Sequence, residues 1–541
     1  MKKWLILLTF LFLISRLPSF WMEMAEDEQV WTMTAVAPYG FNILLVPHPP
    51  IMPILLSLAG LFGNWRVLHI IPLFFSLCVF LLTIIFAKKL FNEKSALYAG
   101  FIILVSMWAV LTASQIEMDG SIVAFMGLVA TYFYLSGVNN NSIKDYVFAG
   151  VALGIGLLTK TTIFLFILSF IAYNLWIVFS KEKKLNEIAK SFITYLVCGI
   201  IFSIYYAINI IFNLKLISAT NEHVLAYFFN FFSQNFINVL SILSQAIVLI
   251  SPLLLGLFVL SLFRFDKKNT IFYILIGVHV FFYLFISTPS FRPFERYWMP
   301  VLPYFALLGG FILDKFKFKR KEILITSFLT VLLFVILELF SFFAKSTLLP
   351  LYPKEIYIQK LMSGSWNFLF PFHGASGPLG FFVPFWSVFF TFVVSSILII
   401  SILATKRKKQ LLILFLSISI AFNLLMISEY YFSPTTPNLN KVSTQVTEFA
   451  LKTNLQQPVY IYQGTGHFLL NYSGYKVKEF NAINYNDEAL ANDISNSNST
   501  FLIVDFPSAN RNSIMWQALS KCKKDLIVIE KGLELGYVLT C

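Results

Sequence analysis

Residues 22–31 read MEMAEDEQVW, which sets Glu23, Glu26, Asp27 and Glu28 within six positions directly after the apolar run MKKWLILLTFLFLIS. Elsewhere the chain avoids charge. Of its 541 residues 58% are hydrophobic and only 12% are charged, against about 25% charged in a soluble domain. Two readings of the acids are open. Either they mark the place where a chain leaves a bilayer, or one of these carboxylates does chemistry at the membrane surface.

The residues outward of this stretch decide the fold class. Apolar runs of about 18 or more residues recur along most of the length, each long enough to cross hydrocarbon as a helix. They are continuous and do not alternate with period two, so helices and not a barrel follow. Helices are expected near 4–20, 66–87, 95–113, 120–137, 147–159, 161–180, 191–212, 236–263, 270–287, 298–313, 323–343, 386–404 and 411–427, about thirteen in all. The sequence therefore predicts a polytopic all-α membrane protein. The net charge of +13 sits in short clusters between spans: Lys88, Lys89 and Lys94; Lys181, Lys183 and Lys184; Arg264, Lys267 and Lys268; Lys315 to Lys321; Lys406 to Lys409. This is the pattern of cytoplasmic loops under the positive-inside rule, not of nucleic-acid binding. The basic start has no convincing cleavage site behind its apolar run, so a retained first span with a cytoplasmic N-terminus is expected.

With that orientation the loops 21–65, 213–235, 288–297 and 344–385 fall on the opposite, extracytoplasmic side. Loop 21–65 holds a short amphipathic helix near 27–37 and the proline-rich PHPPIMPILLSLAGLFG, expected to lie in the interface plane. Loop 344–385, rich in glycine, proline and aromatic residues, suits a cover at the bilayer surface. Residues 1–430 thus form the membrane domain. Residues 431–541 change character: QPVYIYQ, TFLIVDF and DLIVIEKG read as strands, and GHFLLNYS and SIMWQALSKC as helices. They make a small C-terminal extracytoplasmic α/β domain. Its Cys522 and Cys541 would pair if it faces an oxidising compartment, while Cys78 and Cys198 read as packing residues.

Charged groups outside the basic clusters are few: Asp27, Glu28, Glu117, Asp119, Lys160, His223, Arg292, Glu295 and Arg296. Ionisable residues near hydrocarbon are expensive, and function is the default reading. Individually each is equally an interfacial anchor or a structural ion pair; Lys160, at a helix turn, would simply snorkel to water. Together they suit one reaction. A carboxylate can take a proton from an acceptor hydroxyl as it attacks a sugar carbon, and cations can hold a phosphate leaving group. A lipid-linked sugar phosphate needs both a greasy groove and such a charged recess.

AEDEQVWTMTAVAPYGFN followed by VPHPPIMPILLSL resembles the first external loop of the GT-C glycosyltransferases, in the branch of protein O-mannosyltransferases and aminoarabinose transferases. IEMDGSIVAFMGLVATYFYL resembles their second acidic motif, LGIGLLTKTT their glycine-rich helix ending in Leu-Thr-Lys, and RYWMPVLPYFALLGG their Arg-Tyr-x-x-Pro-x-x-Pro helix. The resemblance implies a GT-C-like fold and assigns roles by position. Asp27 would be the base or acceptor-orienting carboxylate, with Glu28 beside it tuning its charge or bonding within the loop. Asp119 would be the second acid. Lys160 and Arg296 would hold the donor phosphate, and Tyr297 would bond it or anchor the interface. His48, Glu117 and Arg292 would line the pocket, His48 equally serving as a helix cap. Departures exist: the approach to HPP lacks the aromatic residues of many relatives, and no motif carries over to the C-terminal domain.

The expected activity is transfer of a sugar from a polyprenyl-phosphate donor to a hydroxyl of a protein, lipid or glycan on the extracytoplasmic face, with inversion. Membrane lipids and this donor are the expected partners. A divalent cation is possible, with His48, Glu117, Asp119 and His223 as donors, although no HxxxH or CxxC spacing marks a metal site. The alternatives are a lipid transporter or flippase, which would place polar groups at the bilayer midplane in repeated halves, and a non-catalytic cell-envelope assembly factor.

Overall fold

The structure, a computed structural model, describes residues 2–24, 26–35, 49–180, 188–211, 236–285, 295–343, 355–374, 377–462, 464, 466–480, 491, 494, 499–505 and 511–541. Each expected helical segment coincides with helix. Among the described residues eight helices are long and apolar enough to cross a membrane, or nine if one bent pair counts as a single span. This is a multi-span membrane protein.

Two of the expected continuous helices are broken. The run expected near 95–113 is two helices, Glu93–Leu104 and Met107–Ser114, bent by 66°. Ser106 is extended at the break, and its Oγ donates to Ile102 O. The helix Phe236–Leu262 is kinked at Ser251 (φ 70°), just before Pro252, whose missing N–H cannot continue the ladder. At the middle of the bundle lies the helix Leu302–Lys315, buried from Leu302 to Leu313. Its Gly309 and Gly310 let it approach the helix Glu93–Leu104. A Cβ on Gly310 would stand 2.4 Å from Ser95 O, so only glycine permits this backbone contact.

The basic clusters at 88–94, 264–268, 315–321 and 406–409 meet at one end of the bundle. Lys88 pairs with Glu93 at 3.1 Å, Asn92 donates to Asp314 at 2.7 Å, and Lys409 pairs with Glu322 at 2.7 Å. The guanidinium of Arg264 lies 4.5 Å from the Phe316 ring centre. Asp119, Lys160 and Arg296 belong to the other end, because Arg296 and Lys315 stand at opposite ends of one helical run.

After the last span, Lys408–Phe432, the chain is pinned at once. Buried Glu429 accepts from Thr435 N (3.2 Å) and from Thr436 N (3.2 Å) and Oγ1 (2.6 Å). Beyond it a five-stranded sheet forms from β3 (Val459–Tyr462), β4 (Val477–Phe480), β5 (Thr500–Val504), β6 (Lys523–Glu530) and β7 (Leu533–Thr540). Its order is β4-β3-β5-β7-β6; β3 is parallel to β4 and β5, and β7 is antiparallel to β5 and β6. The helix Leu439–Lys452 packs Leu439, Val442, Val446 and Ala450 on one face of the sheet, and Met515 and Leu519 cover the other. Cys522 and Cys541 form a disulfide.

Within the segment expected as a cover, strands β1 (Leu369–Gly374) and β2 (Gly377–Pro384) pair as an antiparallel hairpin. Successive side chains of a strand face opposite ways, and here both faces are occupied. Leu369 and Phe382 join the core of the C-terminal domain, while Phe370, Phe372, Phe381 and Val383 join the core of the bundle. The hairpin is a mortar layer between the two bodies.

Candidate active site

The site begins where the half-helix Met107–Ser114 stops and the next span starts. At its start the second span lacks intrahelical partners for its first N–H groups, and Glu117 supplies them. Its carboxylate accepts from Asp119 N and, at 3.0 and 3.1 Å, from Gly120 N. A carboxylate also suits the positive end of a helix. The first turn, Asp119–Val123, is π-helical, with Val123 N donating to Met118 O at 2.9 Å. Such one-residue bulges are common at functional sites. Gly120 is required by space: a Cβ there would lie 1.9 Å from Thr112 Cγ2.

This turn holds Asp119, whose side chain is 1% exposed. Its Oδ2 accepts from Lys160 Nζ at 2.6 Å and lies 3.7 Å from Arg296 Nε. Lys160 reaches it from the break after the helix Ile143–Leu157, where the backbone turns extended (φ −156°, ψ 137°). The lysine is buried, so it does not snorkel to water. Tyr297 completes the cluster, with Lys160 Nζ 4.5 Å and Arg296 Cζ 5.4 Å from its ring centre, distances at which a cation is attracted by the ring face. The Tyr297 ring stacks on Tyr283 at 5.5 Å.

The first-loop motifs join this group from two sides. Glu28 lies on the helix Glu26–Ala35 and is 1% exposed. Its Oε1 accepts from Ile116 N at 2.7 Å, so it ties the helix to the second acidic motif and not merely within its own loop. Asp27 is its neighbour on that helix; the Asp27 side chain lies outside the described residues. After PHPP the helix Ile51–Gly60 docks on the end of the helix Ile143–Leu157, with Ile51 N donating to Leu158 O at 3.1 Å. That bond sets Pro50, the last residue of the HPP motif, beside Leu-Thr-Lys. His48, His223 and Arg292 lie outside the described residues, as does the side chain of Glu295.

Two cations here face the Asp119 carboxylate. Burial first, and then the charge of Asp119, push the Glu117 carboxyl up to about 8, against the pull of Gly120 N–H, Lys160 and Arg296. The cluster is screened from water, where charge interactions are strongest. It can hold an anion. A resident metal fits poorly: the Glu117 oxygens are taken by backbone N–H groups and Asp119 Oδ2 by two cations. Asp119 Oδ1 is buried without a hydrogen-bond partner. Among the described residues no group of three or more His, Cys, Asp or Glu is arranged to hold an ion.

Neutral residues missed in the sequence complete the surroundings. Ser114 Oγ bonds Tyr431 OH at 2.8 Å, and Ser114 O bonds His69 Nδ1 at 2.9 Å. Gln29, one position beyond Glu28, is 3% exposed and bonded to the C-terminal domain. Charged Arg16, within the first apolar segment, is also fully buried, donating to Leu104 O at 3.1 Å over the ring of Phe12.

The overall architecture matches two crystal structures of ArnT from Cupriavidus metallidurans. For the apo state the TM-score is 0.59 at 14% identity; for the state bound to undecaprenyl phosphate it is 0.60 at 13% identity. Each match covers 99% of this chain and 98% of that one. The chain has the GT-C glycosyltransferase fold. A family model described as dolichyl-phosphate-mannose-protein mannosyltransferase matches residues 47–212, the part of the GT-C fold from HPP through Asp119 and Lys160. No curated protein matches the chain in sequence. The resemblance read from the motifs therefore agrees with the fold and with an independent family model.

Proposed function

We propose that this protein is an integral-membrane glycosyltransferase that moves a sugar from a polyprenyl-phosphate donor to an acceptor hydroxyl. The observation that carries this reading is the buried junction of Asp119, Lys160 and Arg296 at the end of the bundle away from the basic loops. Two cations there share the Asp119 carboxylate. A phosphate would be held by Lys160 and Arg296, Arg through two N–H groups and Lys as a point charge. The same cations would stabilise the charge that the phosphate gains as the bond to the sugar breaks. Asp119 would keep both cations in place and offer Oδ1 to a hydroxyl of the sugar. The like-folded ArnT bound to undecaprenyl phosphate supports a lipid phosphate as the leaving group.

Asp27 is the proposed base. It would remove the proton from the acceptor hydroxyl while the oxygen attacks the anomeric carbon from the side opposite the phosphate. One bond forms as the other breaks, so the configuration inverts and no enzyme–sugar bond arises. The basic clusters at the far end support a cytoplasmic orientation for that end. The site and the C-terminal domain are then extracytoplasmic, out of reach of cytosolic nucleotide sugars and open to a lipid-linked donor.

The test uses purified full-length protein in proteoliposomes, with undecaprenyl phosphate as the binding probe and radiolabelled lipid-linked sugars from the source membranes as donors. Arg296→Ala and Lys160→Met should each weaken undecaprenyl phosphate binding at least tenfold. Asp27→Asn should leave it unchanged and lower transfer by about 10²–10⁴-fold. Full transfer by Asp27→Asn removes that residue as base; unaltered lipid phosphate affinity in both cation variants removes the phosphate site. A cysteine placed at exposed Asn454 should label from the extracytoplasmic side only.

A further inference from the structure

The helix Glu26–Ala35 is gripped from two directions by adjacent residues. Neighbours on an α-helix point about 100° apart, and here each finds a different body. Glu28 accepts from Ile116 N of the membrane bundle. Gln29 turns to the C-terminal domain: its Nε2 donates to Gly464 O at 2.6 Å, and its Oε1 accepts from Phe468 N at 2.8 Å. The same Nε2 lies 3.2 Å from Met24 O, which ties the amide to the start of its own helix.

The receiving loop is built to hold its position. It follows β3, and Gly466 adopts a left-handed conformation (φ 69°) with no space for a side chain, since a Cβ would meet Thr447 Oγ1 at 2.8 Å. Thr447 belongs to the helix that covers the sheet. Phe468, next along, is 1% exposed and packs into the core of the bundle. A second contact runs parallel to the first: Glu23 N donates to Asn440 Oδ1 at 3.2 Å, and Thr444 Oγ1 lies 3.4 Å from Glu23 Oε1.

The amide of Gln29 is the one side-chain type of its length that can donate to a carbonyl and accept from an N–H together. Glutamate of equal length keeps only the acceptor role, and methionine keeps neither. From this geometry we infer that Gln29 is a positioning residue, through which the C-terminal domain fixes the helix that carries Asp27. The C-terminal domain then belongs to the frame of the reaction and is not an appended module. This rests on the reading of Asp27 as the base.

The experiment measures amide hydrogen exchange and transfer kinetics of full-length protein in nanodiscs, for wild type, Gln29→Met and Gln29→Glu, with the lipid-linked sugar fraction of the source membranes as donor. In Gln29→Met, exchange within residues 26–35 should rise at least tenfold, while β3, β5 and the helix 439–452 keep wild-type protection. Its kcat should fall about 10- to 100-fold, the scale of a base displaced by about an ångström, with donor KM within threefold of wild type. Gln29→Glu should lie between the two. Unchanged kcat in Gln29→Met overturns the inference, and so does a fall in kcat accompanied by loss of protection in β3 and β5, which would mark general unfolding. Wild-type protein that transfers no label refutes the glycosyltransferase reading instead; the grip is then decided by exchange, and undiminished protection of residues 26–35 in Gln29→Met refutes it.

Discussion

Asp119 and Lys160, from the starts of two different spans, meet at 2.6 Å with side chains 1% and 9% exposed. Removing one member of such a pair leaves a buried charge without compensation, at a cost of about 3–5 kcal/mol. Asp119→Asn, which leaves Lys160 and Arg296 together without their shared carboxylate, should lose about that much stability, and Lys160→Met less, because Asp119 keeps Arg296 at 3.7 Å. The double variant should lose less than Asp119→Asn, because one of those two cations is gone. Thermal unfolding in detergent of all four proteins measures the coupling, and additive losses would show that the two groups act separately.

Gly120 lies against Thr112 with no room for a methyl group. Overpacking of this kind costs about 1–3 kcal/mol, and here it would also push the turn bearing Asp119. Gly120→Ala should lower both the unfolding temperature and the affinity for undecaprenyl phosphate. Adding Thr112→Ser, which removes the nearest methyl, should restore part of each. A Gly120→Ala protein with native affinity would show that the turn tolerates displacement.

Glu23 gives the joint between the first loop and the C-terminal domain a pH dependence. Burial pushes its carboxyl up to about 7, against the pull of the Thr444 hydroxyl and Arg66. A carboxyl raised on folding contributes fully below its ordinary value near 4.5, and its contribution is lost as pH rises through about 7. At about 1.4 kcal/mol per unit, the loss by pH 8 is at most about 3 kcal/mol, and less where water reaches the carboxyl. Glu23→Gln should remove this slope and be the more stable protein above pH 7. Unfolding temperatures from pH 5 to 8.5 give the comparison; parallel profiles would exclude the effect.

The Cys522–Cys541 disulfide closes a loop with a sequence separation of 19. Closing a loop of this length stabilises by about 3 kcal/mol. Cys522→Ser should lower the stability of the C-terminal domain by about that amount, and dithiothreitol should do the same to wild type but nothing further to the variant. Circular dichroism melts with and without reductant provide the check.

What could be seen in the sequence follows from what water and hydrocarbon penalise. Asp119, Lys160, Arg296 and Glu117 stand out because a charge beside an apolar span is costly and so conspicuous. Gln29, Ser114 and Tyr431 carry no charge and gave no such signal. The helix 439–452 does carry a sequence signal, since Leu439, Val442, Val446 and Ala450 recur at helical spacing. The β1–β2 hairpin was harder to find. Alternation betrays a strand with one wet face, and this hairpin has apolar partners on both faces, so its phenylalanines show no period of two. The break at residues 104–107 was hidden for the related reason that an apolar run has the same composition whether straight or bent.

The π-helical turn at Asp119–Val123 has one further consequence, for heredity more than for mechanism. Each residue of a helix accounts for about 100° of rotation. Loss of a single residue between 120 and 123, restoring regular winding, would swing Asp119 more than a quarter turn away from Lys160 and Arg296. Every charged letter of the motifs would survive in its proper order while the junction disappeared. In descendants of such a gene, counting residues between Asp119 and the following span would foretell a working site better than spelling would.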